Sequence, residues 1–154
     1  MNKPDGRKIV ARNRKALHEY HVLESFEAGI ALTGPEVKSV RDGRVSLAES
    51  YARIDNGEVW LHGVHISPYD PASRWNVDPT RPRKLLLHRR EIRRLIGAVG
   101  EKGLTLVPLD VYFRRGMAKV TLALARGKKL HDKREALKER AERRDMEREF
   151  RSPK

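Results

Sequence analysis

The sequence predicts a mainly β fold: a small closed or partly closed barrel of about six strands with two embedded helices. Three observations carry this. Val45 to Ile54 and Val59 to Ile66 are β-prone runs flanking Asp55-Asn56-Gly57-Glu58, and Asn-Gly tolerates the positive φ of a tight hairpin. Val120, Leu122 and Leu124 alternate with Lys119, Thr121 and Ala123, the period of a half-buried strand. The chain has 154 residues, 38% apolar and 36% charged, and closure removes exposed edges from a fold with so modest a core.

The elements follow in order. Residues 1–15 read as a basic arm carrying Lys3, Arg7, Lys8, Arg12, Arg14 and Lys15, with Pro4 and Gly6 as breakers. From His18 the pattern turns β-like: Tyr20, Val22 and Phe26 share a parity, and Glu27-Ala28-Gly29 reads as a turn. Thr33 with Glu36 three residues on is a capping-box spacing, Pro35 suits a first helical turn, and Asp42-Gly43 stops the helix. After the Asn-Gly hairpin, Pro68, Pro71, Pro79 and Pro82 mark a long loop. Ile92, Leu95, Ile96 and Val99 then form one apolar helical stripe ending at Gly100. Leu104 to Phe113 and Met117 to Ala125 make a last strand pair. The organisation is an arm (1–15), a barrel (16–125) and a basic tail (126–154).

Charge narrows the function. The formal net charge is +13, and such an excess favours polyanions, because each neutralised phosphate releases counterions. The tail is nearly all charged and offers almost nothing to a core. On a helix, Lys133, Arg140, Arg144 and Arg148 share one face, and Glu135, Glu139 and Glu142 another. Like charges four residues apart cost a free helix a few tenths of a kcal/mol each, which a row of phosphates reverses. The expectation is a tail disordered when free and helical when bound; a frayed, solvated helix is the alternative. A second cluster runs from Arg81 through Arg83, Lys84, Arg89, Arg90, Arg93 and Arg94 around Leu85-Leu86-Leu87. In a strand at least one of these leucines points outward. It can pack on an unstacked base, or all three can be half-buried core.

Other classes lose support. There is no cysteine, which removes disulfides, thiolate zinc sites and a cysteine nucleophile. No phosphate loop, Gly-x-Ser-x-Gly or His-Glu-x-x-His is present. The acids are scattered and the six histidines lack ligand spacing. The expectation is therefore a binding protein with no catalytic residues, metal or cofactor. No apolar stretch is long enough for a signal peptide or a membrane span, so a cytoplasmic location without a membrane partner is expected.

Three stretches near the start carry a resemblance: Asn13-Arg14-Lys15-Ala16-Leu17-His18-Glu19-Tyr20, Phe26-Glu27-Ala28-Gly29-Ile30-Ala31-Leu32 and Glu36-Val37-Lys38-Ser39-Val40-Arg41. Asp78-Pro79-Thr80-Arg81-Pro82-Arg83-Lys84-Leu85-Leu86-Leu87 and Gly127-Lys128-Lys129-Leu130-His131-Asp132-Lys133-Arg134 extend it. In order and in register, from about residue 9 to 148, these motifs resemble the SsrA-binding protein (SmpB) family. The resemblance implies an OB-like barrel with embedded helices and a tail disordered in isolation. It implies binding to the transfer-RNA-like end of transfer-messenger RNA (SsrA RNA) and delivery of that RNA to stalled bacterial ribosomes for trans-translation. The partners implied are that RNA, the small ribosomal subunit with its RNA and, through the RNA, the elongation factor that carries aminoacyl-tRNA. The family protein is not an enzyme.

By motif, the resemblance gives Glu27, Leu86 and Lys119 as residues that grip the RNA. Asn13, His18, Glu19, Tyr20, Lys38, Arg41, Arg83 and Lys84 lie in matching motifs. Glu27 can accept from base amino groups or orient an arginine; a plain surface acid is the alternative. The resemblance gives Gly127, Lys128, Lys129, His131, Asp132, Lys133 and Arg134 as the start of a ribosome-engaging tail, with Arg140 and Arg144 on its basic face. That tail would occupy the empty messenger channel and the decoding centre. His131 could stack on a base; a solvated imidazole is the alternative.

Overall fold

The computed structural model describes residues 6–101, 103–128, 134 and 137–145, with backbone alone at 72, 73 and 75. The order is β1 (Arg7–Arg12), α1 (Arg14–Glu19), β2 (Tyr20–Ile30), α2 (Gly34–Arg41), β3 (Val45–Ser46), β4 (Tyr51–Asp55), β5 (Glu58–His62), β6 (His65–Ile66), a 3-10 segment (Asp70–Trp75), β7 (Arg83–Leu86), α3 (Arg89–Val99), β8 (Leu104–Arg114) and β9 (Met117–Gly127). Strands β8, β4, β5, β7, β2 and β9 are hydrogen-bonded in sequence, and β9 returns to β8. They close a ring of six antiparallel strands, the expected barrel-like closure. β1 lies outside the ring on β8, and β3 with β6 makes a separate ribbon.

The ring is uneven. β9 pairs along most of its length with both β8 and β2. By contrast β4 meets β8 at the single pair Ala52 and Leu106, and β2 meets β7 only at Gly29–Leu86 and Ile30–Leu85. Inside the ring Ala28, Val59, Leu61, Leu85, Leu106, Val120 and Leu122 are almost fully buried, with Val40 of α2 and Leu95 of α3. These side chains come from alternate positions of each strand, as a pleated sheet requires.

The local signals explain most boundaries. Asn56 and Gly57 both have positive φ, at 50° and 74°, in the two-residue turn between β4 and β5. Arg115 and Gly116 repeat the device between β8 and β9, at 53° and 77°. Thr33 caps α2 reciprocally with Glu36: Thr33 N–H donates to Oε1 at 2.9 Å, and Glu36 N–H to Thr33 Oγ1 at 3.4 Å. Gly63 has a φ of 77°, and a Cβ there would stand 2.4 Å from the Glu49 carbonyl oxygen, so only glycine fits.

Four expectations need correction. The arm is not free, because Arg7–Arg12 is a strand on β8 and Asn13 caps α1, its Oδ1 accepting from Ala16 N–H at 3.1 Å. The strand shows no alternation, because Ile9, Val10 and Ala11 are consecutive and the register shifts between Ile9 and Ala11. Glu27-Ala28-Gly29 is no turn but the middle of an unbroken 11-residue β2. A bulge between Val22 and Glu24 shifts the parity, leaving Val22 and Leu23 outside and Phe26 and Ala28 inside. The run Val45 to Ile54 divides into β3 and β4, and Val59 to Ile66 into β5 and β6. Finally, Ile96 of the α3 stripe is 49% exposed; Leu95 is buried, with Ile92, Ala98 and Val99 packed on the core.

The barrel also runs slightly past its expected end. β9 includes Gly127, Lys128 N–H donates to the Glu19 carbonyl at 2.7 Å, and Lys128 Nζ donates to the Leu17 carbonyl. Residues 137–145 are helical and exposed throughout.

Candidate nucleic-acid interface

Strand register assembles the surface. Gly29 on β2 is paired with Leu86 on β7 and with Lys119 on β9, and Lys119 is paired with Tyr112 on β8. Leu86, Gly29, Lys119 and Tyr112 therefore form one row across four strands. Glu27 lies two residues from Gly29 on the same face and is paired with Thr121. Its carboxylate reaches across β9 to Tyr112, whose hydroxyl donates to Oε2 at 2.5 Å. Arg114, two residues further along β8, donates to the same oxygen at 3.2 Å. Arg7 of β1 stands over the Tyr112 ring, 5.3 Å from its centre. The family resemblance gave Glu27, Leu86 and Lys119; the strands bring these three to one face.

The electrostatics follow from the geometry. The Tyr112 hydroxyl, with help from Arg114 and Lys119, holds the Glu27 carboxyl below the usual range, so it stays ionised. Burial, together with the Glu27 charge, pushes the Tyr112 phenol up, so its proton stays to donate. Glu27 is thus an anion tied in place by its neighbours, and it in turn holds Arg114 on the outer face. Leu86 is 52% exposed beside it. Its fellow leucine Leu85 is buried, Leu87 is half-buried, and Arg83 points inward with Leu85. The triplet resolves as its alternation demands, with one leucine outside.

The other candidates lie elsewhere. Tyr20 opens β2, seven residues from Glu27, which puts it about 23 Å away along an extended strand. With Asn13, Glu19 and Tyr51 it lines a hollow of about 300 Å³ at that end, and His18 stands beside Glu19 at the end of α1. Asn13 itself is buried; its Nδ2 donates to the Pro108 carbonyl at 2.9 Å. Lys38 and Arg41 are exposed on α2, over the rings of Tyr69 and Phe113 respectively. Lys84 shares the outward face of β7 with Leu86 and pairs with Glu58.

Arg83 is inside, with no exposed surface. Its Nε donates to Glu36 Oε2 at 2.7 Å, and its two terminal nitrogens donate to the carbonyls of Val64 at 2.7 Å and Pro79 at 2.9 Å. Arg81 grips the same carboxylate, with Nη2 2.5 Å from Oε1. Burial alone would raise the Glu36 carboxyl, but hydrogen bonds from Arg81, Thr33 N–H and Arg83 hold it below its ordinary range. Burial lowers the Arg83 guanidinium, with Glu36 opposing.

Of the tail residues, Gly127 and Lys128 belong to the edge of the fold, and Arg134, Arg140 and Arg144 are exposed. Lys129, His131, Asp132 and Lys133 lie outside the described residues. Among the described residues no cluster of three or more His, Cys, Asp or Glu could hold a metal, and no helix is long and apolar enough to cross a membrane.

A model of the SmpB protein family matches residues 10–152, nearly the whole chain. The chain belongs to the SmpB family. It is 59% identical over 145 residues to the SsrA-binding protein of Carboxydothermus hydrogenoformans, covering 94% of this chain and 97% of that one. It is 55% identical to the SsrA-binding protein of Desulfitobacterium hafniense, covering 96% and 94%. For the SsrA-binding protein of Listeria monocytogenes the identity is 56%, over 97% of each. Among solved structures, a chain from "tmRNA-SmpB: a journey to the center of the bacterial ribosome" is 56% identical with a TM-score of 0.67. That match covers 82% of this chain and 93% of the other. The mainly β fold with its ring of six strands therefore has a solved counterpart.

Sequence reasoning missed Tyr112, Arg114 and Glu36. The first two were legible as the alternating outward set Asp110, Tyr112, Arg114 on β8. The spacing of Thr33 and Glu36 shows the third as a cap, not as the partner of Arg81 and Arg83.

Proposed function

We propose that this SmpB-family chain is an RNA adaptor. It binds the transfer-RNA-like domain of SsrA RNA (transfer-messenger RNA) and delivers it to stalled ribosomes for trans-translation. The observation that carries the reading is the row Leu86–Gly29–Lys119 across β7, β2 and β9, with Glu27 tied beside it. Such a face offers an apolar contact, a cation and an ordered acceptor together, which suits unstacked RNA loops. Lys119 meets a phosphate and Leu86 a base. Glu27 keeps Arg114 on the face or accepts from a base amino group.

The interior residues act indirectly. Arg83 and Asn13 hold β7 and α1 in place, and Lys84, Lys38 and Arg41 supply charge at the margins. The α1 end, with His18, Glu19 and Tyr20, forms a second contact region about 23 Å from the first. The tail enters the empty messenger channel and the decoding centre of the small subunit, with its root anchored by Gly127 on Tyr20 of β2 and by Lys128 on α1. Lys129, His131, Asp132, Lys133, Arg134, Arg140 and Arg144 are its contact residues. The elongation factor carrying aminoacyl-tRNA meets the chain through the RNA. The chain works in the cytoplasm by binding and catalyses no reaction.

The test compares binding to SsrA RNA and to ordinary transfer RNA at several salt concentrations, for the full chain and for a chain cut after Lys128. The adaptor prefers SsrA RNA, and the cut leaves that binding nearly intact while abolishing ribosome rescue. A generic RNA binder instead loses affinity for both RNAs in proportion to the charge removed.

A further inference from the structure

The wall made by β4 and β5 lies across the barrel from the β2–β9 pair. In the six-strand ring β4 stands opposite β2, and β5 opposite β9. Alternation sends six side chains outward from this wall: Tyr51, Arg53 and Asp55 from β4, and Glu58, Trp60 and His62 from β5. Tyr51 pairs directly with His62, and their rings are stacked, with centres 5.4 Å apart and planes 11° from parallel. Arg53 pairs with Trp60 in the next rung of the same face. Beside Trp60 and His62 is an open hollow of about 280 Å³, which Arg53, Asp55 and Pro82 also line. A stacked cross-strand pair steadies a hairpin by itself. That need explains neither a third ring beside an open hollow nor a tyrosine left 41% exposed.

The composition of the wall selects its partner. Its charges cancel: Arg53 and Lys84 stand against Asp55 and Glu58, and Lys84 is ion-paired with Glu58. On a chain of net charge +13 this is a poor seat for a polyanion. No outward residue of β4 or β5 is aliphatic, so the apolar side of a partner helix finds little to pack on. What remains is ring faces flanked by hydrogen-bonding groups. Tyr, Trp and Arg are also the side chains enriched where proteins bind one another most strongly. Extended proline-containing segments dock on aromatic-lined surfaces of this kind. Their rings pack on the aromatic faces, and their backbone carbonyls have no internal hydrogen bonds and can accept from indole and guanidinium N–H groups.

We infer that the β4–β5 wall is a docking site for an extended, proline-containing segment of a partner protein, with a proline ring in the hollow against Trp60 and a neighbouring carbonyl facing Arg53. The inference goes beyond RNA binding and does not depend on it. Size agrees with it. The hollow is smaller than the ~300–1,000 Å³ of pockets that enclose a drug-sized ligand, which suits one or two residues of a passing chain. A polyproline II segment is already extended before it binds, so a shallow wall can hold it at low entropic cost. The Leu86–Gly29–Lys119 row stays open, so RNA and protein bind at once.

The test is a titration of the full chain with a synthetic octaproline peptide, followed by NMR at the indole N–H of Trp60. The chain has two tryptophans, Trp60 and Trp75, and a Trp75→Phe variant assigns the signal. The Trp60 signal is expected to shift and saturate, both with and without the transfer-RNA-like part of SsrA RNA. A glycine–serine peptide of equal length should leave it unmoved. Arg53→Ala and Trp60→Ala are each expected to weaken peptide binding about tenfold (1.4 kcal/mol) while leaving SsrA RNA binding unchanged. Arg53 is exposed, so its variant tests the contact even where Trp60→Ala lowers the unfolding midpoint. A Trp60 signal indifferent to octaproline would overturn the inference, as would full peptide affinity in Arg53→Ala. A shift produced instead by a single-stranded oligoadenosine RNA would also overturn it, and would make the wall a stacking surface for bases.

Discussion

Two carboxylates in this fold are each held by cations, and they do opposite work. Glu36 is inside, with Arg83 and Arg81 on its two oxygens and Thr33 N–H closing the set. Glu27 is on the outer face, with Tyr112 and Arg114 on one oxygen and more than a third of its side chain in water. The buried group fastens α2 to β7 and to the loop before it. The outer group fastens nothing that the fold needs; it fixes the positions of groups that another molecule would meet. The same pairing chemistry builds the scaffold when water is excluded and orders exposed side chains when water is admitted.

The sharpest way to break this contrast is to remove Glu36. Glu36→Ala leaves Arg83 buried with an unpaired charge, and losing one partner of a buried pair costs about 3–5 kcal/mol. Denaturant unfolding reads this directly, and a loss near that of an exposed ion pair would contradict the scaffold role. Leu86→Ala comes next. It should weaken binding to SsrA RNA about tenfold (1.4 kcal/mol) with little change in the unfolding midpoint, since Leu86 is half exposed. A falling midpoint at constant affinity would return the leucine to the core.

Tyr112→Phe is smaller. It removes a donor to Glu27, costing under about 1 kcal/mol because water reaches that carboxylate, and it raises the Glu27 carboxyl toward its ordinary range. Following that carboxyl by NMR through an acid titration checks the direction. Acidity tests both groups together. Each carboxyl is depressed in the folded chain, so each stabilises it above the unfolded value of about 4.3. That stabilisation is lost as pH falls through the lower, folded values. Unfolding free energy should therefore be flat from neutrality to about pH 5 and then decline. The decline should be shallower in Glu36→Ala.

Much of this was legible in the chain, and the losses have physical causes. The hairpin at Asn56-Gly57 and the cap at Thr33 and Glu36 depend on residues close in sequence, as does the need for at least one outward leucine in 85–87 once the run is a strand. Short-range chemistry decided them. The site core of Glu27, Leu86 and Lys119 came from resemblance, and strand register explains why these three meet. β1 escaped because Ile9-Val10-Ala11 is a contiguous apolar run between cations, with a register shift between Ile9 and Ala11 that removes any alternation. β2 was cut short because Gly29 after Glu27-Ala28 reads as a turn, and a bulge between Val22 and Glu24 hides the parity that would have carried the strand through it. Arg83 looked like a surface cation until the pleat turned it inward with Leu85. Glu36 was visible as a cap but not as an anchor, since Arg81 and Arg83 reach it from more than forty residues away. Tyr112 and Arg114 join Glu27 only after β9 is placed between them.

The central claim is that the outer face, and not the buried cluster, meets RNA. Its most direct test is the salt dependence of SsrA RNA binding for Lys119→Ala beside the unmodified chain. If Lys119 neutralises one phosphate, affinity falls and the slope of log affinity against log salt becomes shallower by about 0.7–0.9. An unchanged slope with full affinity would contradict it.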